Sequence, residues 1–299
     1  MRGETVSRLK ELEEKAIARL KLFEPNPEFE RPYYLAYSGG KDSDAILILA
    51  ELAGVRFEAV HNLTTADAPE TVYYVRSKSN VTISKPDTTM WELIVKKRMP
   101  PTRLIRYCCA ELKERGGQGR RVITGVRWAE SQSRKENAGN VRILNKPKAV
   151  KEKAEEIGAD YEITKQGGII LNNDNEKSRE LVEHCVMQSK IMVNPIVEWT
   201  DADVWGFLRH YGCKSNPLYQ CGFDRVGCIG CPMASKKRYF EFEKYPKYKA
   251  SYIRAFDKML KARDEHGLKR TWESAEEVFR WWMGEDPKQL TFADLGVSE

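Results

Sequence analysis

The sequence predicts a doubly wound, mostly parallel α/β sheet followed by a helical C-terminal region. Three observations carry this. Tyr33-Tyr34-Leu35-Ala36-Tyr37 is a short aromatic run ending at Ser38-Gly39-Gly40, as a buried strand entering a glycine turn does. Asp42 to Ala53 follows as a helix stopped by Gly54, and Val55 to His61 reads as the next strand. The helix between them makes a βαβ crossover, whose strands must be parallel. Farther on, Arg121 to Gly125 reads as a strand entering a polar loop, GVRWAESQSR.

The remaining elements follow in order. Leu9, Leu12, Ile17, Leu20 and Phe23 lie on roughly one helical face, so residues 5–23 form an amphipathic helix packed on the body, broken by Pro25 and Pro27. Glu70 to Ser77, Thr89 to Met99 and Ile105 to Glu114 read as helices. Residues 135–190 are charged and weakly periodic, an elaboration of the sheet edge holding at least one helix. Thr200 is an N-cap ahead of Asp201, Asp203, Val204, Trp205, Phe207 and Leu208. The expected organisation is an N-terminal helix (1–24), an α/β domain that carries the glycine turn (28–199) and a cysteine-bearing, mainly helical region (200–299).

Composition excludes several classes. With 41% apolar residues in 299, the chain can fill a sizeable core and is not disordered throughout. No run of 18 apolar residues exists, and the first 25 residues alternate charge with apolar groups rather than forming a signal-peptide core, so a cytoplasmic protein without membrane association is expected. Fifty Lys and Arg against 44 Asp and Glu leave +6, compatible with anionic substrates but short of a protein that coats nucleic acid.

Ser38-Gly39-Gly40-Lys41-Asp42-Ser43 sits between the first strand and its helix, where backbone N–H groups and the helix dipole create an anion site. The glycines let the main chain approach phosphate oxygens, and Ser38 and Ser43 offer hydroxyls. The Walker A pattern is excluded, because Asp42 stands where a hydroxyl residue should follow the lysine. Gly125, Arg127 and Arg134 lie just after a strand, at the carboxyl edge where α/β folds bind ligands, and arginine there suits bidentate phosphate contact. Asp42 and Glu130 are candidates to hold Mg²⁺.

SGGKDS resembles the PP-loop of the N-type ATP pyrophosphatases, which implies a Rossmann-like sheet of the adenine nucleotide alpha hydrolase type and cleavage of ATP between its α and β phosphates. HNLTTADAPETVYYV, TGVRWAESQSR, NPIVEWTDADVW and NPLYQCGFDRVGCIGCP resemble successive blocks of the phosphoadenosine phosphosulfate (PAPS) reductase family in its broad sense. That family includes the PP-loop subunit of DNA phosphorothioation systems and relatives from phages. On this resemblance the β,γ-phosphates of ATP·Mg²⁺ lie on the Ser38–Ser43 loop and adenine lies against the Val55–His61 strand edge, with Lys41, Asp42 and Arg127 as the catalytic set.

Cys108 and Cys109 are adjacent, while Cys213, Cys221, Cys228 and Cys231 crowd into nineteen residues, and Cys185 stands in a helical core pattern. A lone CxxC at Cys228–Cys231 fits redox, zinc and iron-sulfur sites alike. Paired with Cys108-Cys109, it resembles the [4Fe–4S] pattern of adenylyl-sulfate reductases. The phosphorothioation subunits imply another set, in which Cys221 replaces Cys109. The favoured ligands are Cys108, Cys109, Cys228 and Cys231.

Sulfonucleotide reductases resemble one another in a C-terminal cysteine nucleophile and in a phosphate loop that departs from SGGxDS. This chain has no cysteine after Cys231 and keeps SGGKDS. The expected function is therefore ATP cleavage that adenylates an acceptor, in nucleic-acid sulfur modification of the sulfurtransferase type. The alternatives are a sulfonucleotide reductase and a non-catalytic nucleotide-sensing or DNA-binding subunit. Expected partners are a nucleic-acid acceptor, a sulfur-donor or complex partner protein, and a second copy in a homodimer. Lys236-Lys237-Arg238 with Tyr239, Phe240, Tyr245, Tyr248 and Tyr252 mixes cations and aromatics, which suits either nucleic-acid contact or packing on the cysteine region. Trp281-Trp282 reads as core.

Overall fold

A computed structural model describes residues 2–144, 147–165, 167–185, 189–269 and 271–286. The expected C-terminal region lies outside the described residues at 270 and from 287 onward. Eight strands form one sheet: β1 (Tyr33–Ala36), β2 (Phe57–Asn62), β3 (Val81–Ser84), β4 (Arg121–Ile123), β5 (Val141–Leu144), β6 (Glu162–Ile163), β7 (Ile169–Leu171) and β8 (Lys190–Val193). The helices are α1 (Arg2–Leu22), α2 (Lys41–Ala53), α3 (Pro69–Arg76), α4 (Met90–Lys97), α5 (Gln132–Asn137), α6 (Pro147–Ile157), α7 (Glu176–Cys185), α8 (Asp201–His210), α9 (Lys237–Lys244), α10 (Pro246–Glu265) and α11 (Ala275–Met283).

The strand order is β3-β2-β1-β4-β8-β5-β7-β6. The chain winds outward from β1 to β3 and then returns across β1 to β4, the doubly wound order. β1 pairs in parallel with β2 and β4, and β4 with β8. Residues 135–190 extend this core with antiparallel β5, β7 and β6, the sheet-edge elaboration expected from their weak periodicity. Strand β3 has no counterpart in the sequence reading, because VTIS is too short to show a period. The helix expected at 105–114 is instead a π-helical turn over Cys109–Lys113, closed by the Glu114 N–H donating to the Cys109 carbonyl at 2.8 Å. Such widened turns are uncommon and gather at functional positions.

The described residues divide into two compact units that interleave along the chain. The first holds residues 1–61, 70–83 and 116–226, and the second 62–69, 84–115 and 227–299. In the first, Leu35, Ile46, Leu49, Ile123, Ile191 and Val193 are buried around the sheet. Helix α1 adds Ala16 and Leu20 to that core, Phe23 follows just past its end, and the helix is locked by buried Arg19, which donates to Asp174, Glu198 and the Asn194 and Pro195 carbonyls. In the second unit, α10 lies against α4 and α11, with Tyr252 stacked at 4.7 Å on Trp282 and meeting Trp91 edge-on at 4.9 Å. Among the described residues no helix is long and apolar enough to cross a membrane.

Candidate functional site

In the first unit, the direction of winding reverses between the paired strands β1 and β4, and the carboxyl ends of strands at such a reversal are the place where open α/β sheets bind ligands. The Ser38–Ser43 loop leaves β1 at this point, and Gly125 and Arg127 leave β4. Gly39 has φ +77°, a conformation that favours glycine, and a Cβ there would stand 3.0 Å from a Val75 methyl. Gly40 caps α2. Its N–H donates to Ser43 Oγ at 3.0 Å, and that hydroxyl donates back to the Gly40 carbonyl at 2.7 Å. A Cβ on Gly125 would lie 3.0 Å from Asp42 Cβ and 3.1 Å from the Asp42 carbonyl carbon, so only glycine lets the exit of β4 approach the start of α2 this closely.

Lys41, Asp42 and Arg127 come together, and Asp201 joins them. Buried Arg127 donates through Nε to Asp42 at 2.7 Å, through a terminal nitrogen to Asp201 at 2.6 Å, and to the Trp199 carbonyl at 3.2 Å. Lys41 Nζ lies 3.1 Å from Asp42 and 3.4 Å from Asp201. Burial works against the Asp201 carboxylate, but Lys41 and Arg127 outweigh it and lower its pKa. Two cations and two carboxylates thus form a balanced network in which an arriving phosphate would compete with the carboxylates for the same N–H groups. Asp201 is at the first position of α8 because Thr200 caps that helix, its Oγ accepting from the Asp203 N–H at 3.2 Å.

Two further side chains hold the loop. Asn216 donates to the Gly39 carbonyl at 3.0 Å, and the Lys41 N–H donates to Tyr219 Oη at 2.9 Å. Neither was singled out from the sequence, although both sit in NPLYQ. Beneath the loop, the Tyr37 and Tyr74 hydroxyls donate to Asp44 at 2.5 and 2.9 Å. Burial raises the Asp44 pKa to about 6 against those bonds. Arg134 stands apart from this network, half exposed on α5 with Nε 3.4 Å from Glu130. Burial raises the Glu130 pKa, and the negative charge of Asp42 adds to the rise.

In the second unit, Cys108, Cys109, Cys228 and Cys231 line a single small cavity of about 20 Å³, room for one water-sized sphere. Thr64, Lys113 and Tyr252 complete its polar lining, and Met90, Pro101 and Pro232 its apolar wall. The Cys228–Cys231 turn is tied down on every side: Ile229 N–H donates to the Ala66 carbonyl at 2.8 Å, Gly230 N–H to Glu241 at 2.7 Å, and Tyr252 Oη to the Ile229 carbonyl at 2.9 Å. Cys228 lies 3.3 Å from the Thr64 hydroxyl, and burial pushes its thiol pKa up to about 12. Cys109 receives hydrogen bonds from the Cys108 thiol and from Arg106, the latter at 3.2 Å, so of the pair it ionises first. No group of three or more His, Cys, Asp or Glu converges as on a single ion among the described residues. The four donors ring a hollow rather than meeting at a point. Cys185 is in the hydrophobic core as expected, while Cys221 belongs to the first unit and is exposed.

Comparison with known proteins adds the family. An uncharacterised protein of Methanocaldococcus jannaschii is 25% identical over 95% of this chain and 59% of its own length. An uncharacterised 37.8 kDa protein of Escherichia phage 186 is 45% identical over 17% of the chain and 16% of its own length, and the adenosine 5′-phosphosulfate reductase of Allochromatium vinosum is 38% identical over 14% and 16%. The chain therefore spans 59% of the first of these relatives and a sixth or less of the other two. Among solved structures, a PAPS reductase from Candida auris aligns with TM-score 0.41 and 15% identity over 74% of this chain and 93% of that one. The model of the phosphoadenosine phosphosulfate reductase domain matches residues 32–234, most of the chain, and the chain accordingly belongs to that family.

Proposed function

We propose that this protein binds ATP on the Ser38–Ser43 loop and cleaves it to AMP and pyrophosphate, adenylating an acceptor in nucleic-acid sulfur modification. The observation that carries this reading is the gathering of Lys41 and Arg127 beside the glycine loop at the carboxyl ends of β1 and β4. An acceptor oxygen attacks the α-phosphorus, the bond from that phosphorus to the bridging oxygen breaks, and pyrophosphate leaves with the electron pair while the acceptor proton passes to solvent. Lys41 and Arg127, released from Asp42 and Asp201 by the phosphates, stabilise the charge that develops on the phosphoryl oxygens. The protein itself supplies no nucleophile.

Asp42 and Glu130 fit Mg²⁺ as two carboxylates whose charges act on each other, and a divalent cation would offset both the burial that chiefly raises the Glu130 pKa and the smaller contribution of the Asp42 charge. Bound there, the ion would neutralise phosphate charge. Cys108, Cys109, Cys228 and Cys231 fit a [4Fe–4S] cluster by donor chemistry, four thiols around one largely apolar hollow. The Cys108–Cys109 contact has to open and the hollow has to widen for all four to ligate. A cluster would hold or relay sulfur, or order the wall around it.

The family match and the reductase relatives favour a second reading, reduction of a sulfonucleotide. One experiment separates the two. Anaerobically purified protein is given ATP with candidate nucleic acids and, separately, adenylyl sulfate or its 3′-phosphorylated form with thioredoxin. Acceptor-dependent release of pyrophosphate, with AMP carried on the acceptor, is the expected result. Thioredoxin-dependent sulfite, or ATP left bound and uncleaved with every acceptor, would overturn the proposal.

A further inference from the structure

We infer that the second unit carries a binding site for a nucleotide unit, in a pocket of about 300 Å³ at the C-terminal end of α11. Its lining joins the two motifs that the glycine loop and the cysteines leave unexplained, the basic run at 236–238 and the tryptophan pair at 281–282. Trp282 is core as expected, but Trp281 is only half buried and offers an indole surface to the pocket. Arg103 and Lys236, both exposed, bring positive charge to the same space.

The floor is built rather than incidental. Arg238 is buried with its guanidinium 4.8 Å over the Trp282 ring, and it donates to the Trp282 carbonyl at 2.9 Å and to the Ser235 carbonyl at 3.2 Å. Arg103 donates to the Ser235 hydroxyl at 3.2 Å. Ser235 is held at φ +51° and ψ −129°, backbone that residues with a Cβ seldom adopt and that persists only when its surroundings impose it. The two arginines are those surroundings. Beyond the pocket, Leu104, Tyr239 and Phe240 are exposed large apolar side chains, the last two directly following Lys236-Lys237-Arg238 in the chain.

This chemistry selects the ligand class. Cations call for an anion, and an indole face calls for a flat ring carried close to it, a combination met by a phosphate joined to a base. The volume lies at the small end of ligand sites and suits one such unit. A free nucleotide and one unit of a single strand share this chemistry. The inference rests on the proposed reading only for the biological sense of a nucleic-acid acceptor, and its test uses no ATP.

The test measures binding of a short fluorescein-labelled single strand by anisotropy and of AMP by titration calorimetry, at low salt. Wild type is compared with Lys236→Glu, Trp281→Leu and, as an equal change of charge elsewhere, Lys10→Glu. Lys236→Glu is expected to weaken binding roughly tenfold and to lower the salt dependence by about one phosphate contact. Trp281→Leu should weaken it comparably with the salt slope kept, its thermal melting checked because Trp281 also packs 5.1 Å from Trp272. Lys10→Glu should bind as wild type does. Losses seen with the strand alone name nucleic acid as the source, and losses seen with AMP name a free nucleotide. No binding by wild type, or binding by Lys236→Glu and Trp281→Leu equal to that of wild type, overturns the inference, whatever becomes of ATP cleavage.

Discussion

Replacing Gly230 by alanine puts a methyl group where the second unit has no room for one. The added Cβ would stand 2.5 Å from Phe242 Cζ and 2.9 Å from Tyr252 Cε2, two rings buried against each other. Gly230 also has φ +76°. The left-handed backbone costs an alanine about 1–2 kcal/mol, and overpacking adds about 1–3 kcal/mol as the rings are pushed off their rotamers. The sum, about 2–5 kcal/mol, is a large part of the total stability of a domain. Gly267 supplies the control, since it belongs to the same unit, has φ +63° and meets nothing within 4 Å, so its alanine variant bears the backbone cost alone. Calorimetric melting of anaerobic protein should place Gly230→Ala well below Gly267→Ala, by roughly 3–10 °C at about 2–4 °C per kcal/mol. Gly230 also lies between two proposed ligands, so its variant should retain less iron than the control. Melting of the two variants within a degree of each other would show that the packing around the Cys228–Cys231 turn is not as described.

Three further outcomes follow from the same geometry. The folded pKa of Asp44, about 6, lies above its ordinary 3.8, so the folded state holds the proton more tightly and stability is lost as pH rises from about 4 to about 7. Asp44→Asn removes that slope, and the wild-type advantage at pH 4.5 should shrink by up to about 2 kcal/mol at pH 7.5; parallel curves in urea titrations across this range would refute it. Gly40→Val directs its branches at Tyr219 Oη, 3.2 Å from the new Cβ, and at Val226, 3.5 Å away; ATP affinity in titration calorimetry should be abolished with cooperative unfolding kept, and equal affinity would sink the loop assignment. Anaerobic wild type should be brown with about four iron per chain, and Cys228→Ser should lose most of it; a colourless preparation with one equivalent of zinc would reverse the reading of the cysteines.

Local chemistry was legible in the sequence wherever a single segment supplied the whole signal. The strand Tyr33–Ala36, its glycine loop and the helix from Lys41 could be read together, because an aromatic run, two glycines and a 3.6-residue period are written in one continuous stretch from Tyr33 to Ala53. The Thr200 cap was legible for the same reason. The helix expected at 105–114 was not, since a π turn and an α turn present nearly the same apolar spacing and differ only in which carbonyl the Glu114 N–H reaches.

Residue type and short-range spacing are enough to read the βαβ core, the glycine loop after its first strand and the inventory of thiols. It took the folded chain to show that Asp201 shares the charge of Arg127 across 74 positions, that Tyr219 steadies the Lys41 N–H across 178, and that residues 62–69 and 84–115 join the C-terminal helices so that Cys108 and Cys109 meet Cys228 and Cys231 around one cavity. Such partners are chosen by which buried donors and acceptors the folded backbone brings within about 3 Å of one another, and each must find one because leaving it unpaired is costly. No local period in the chain records that choice.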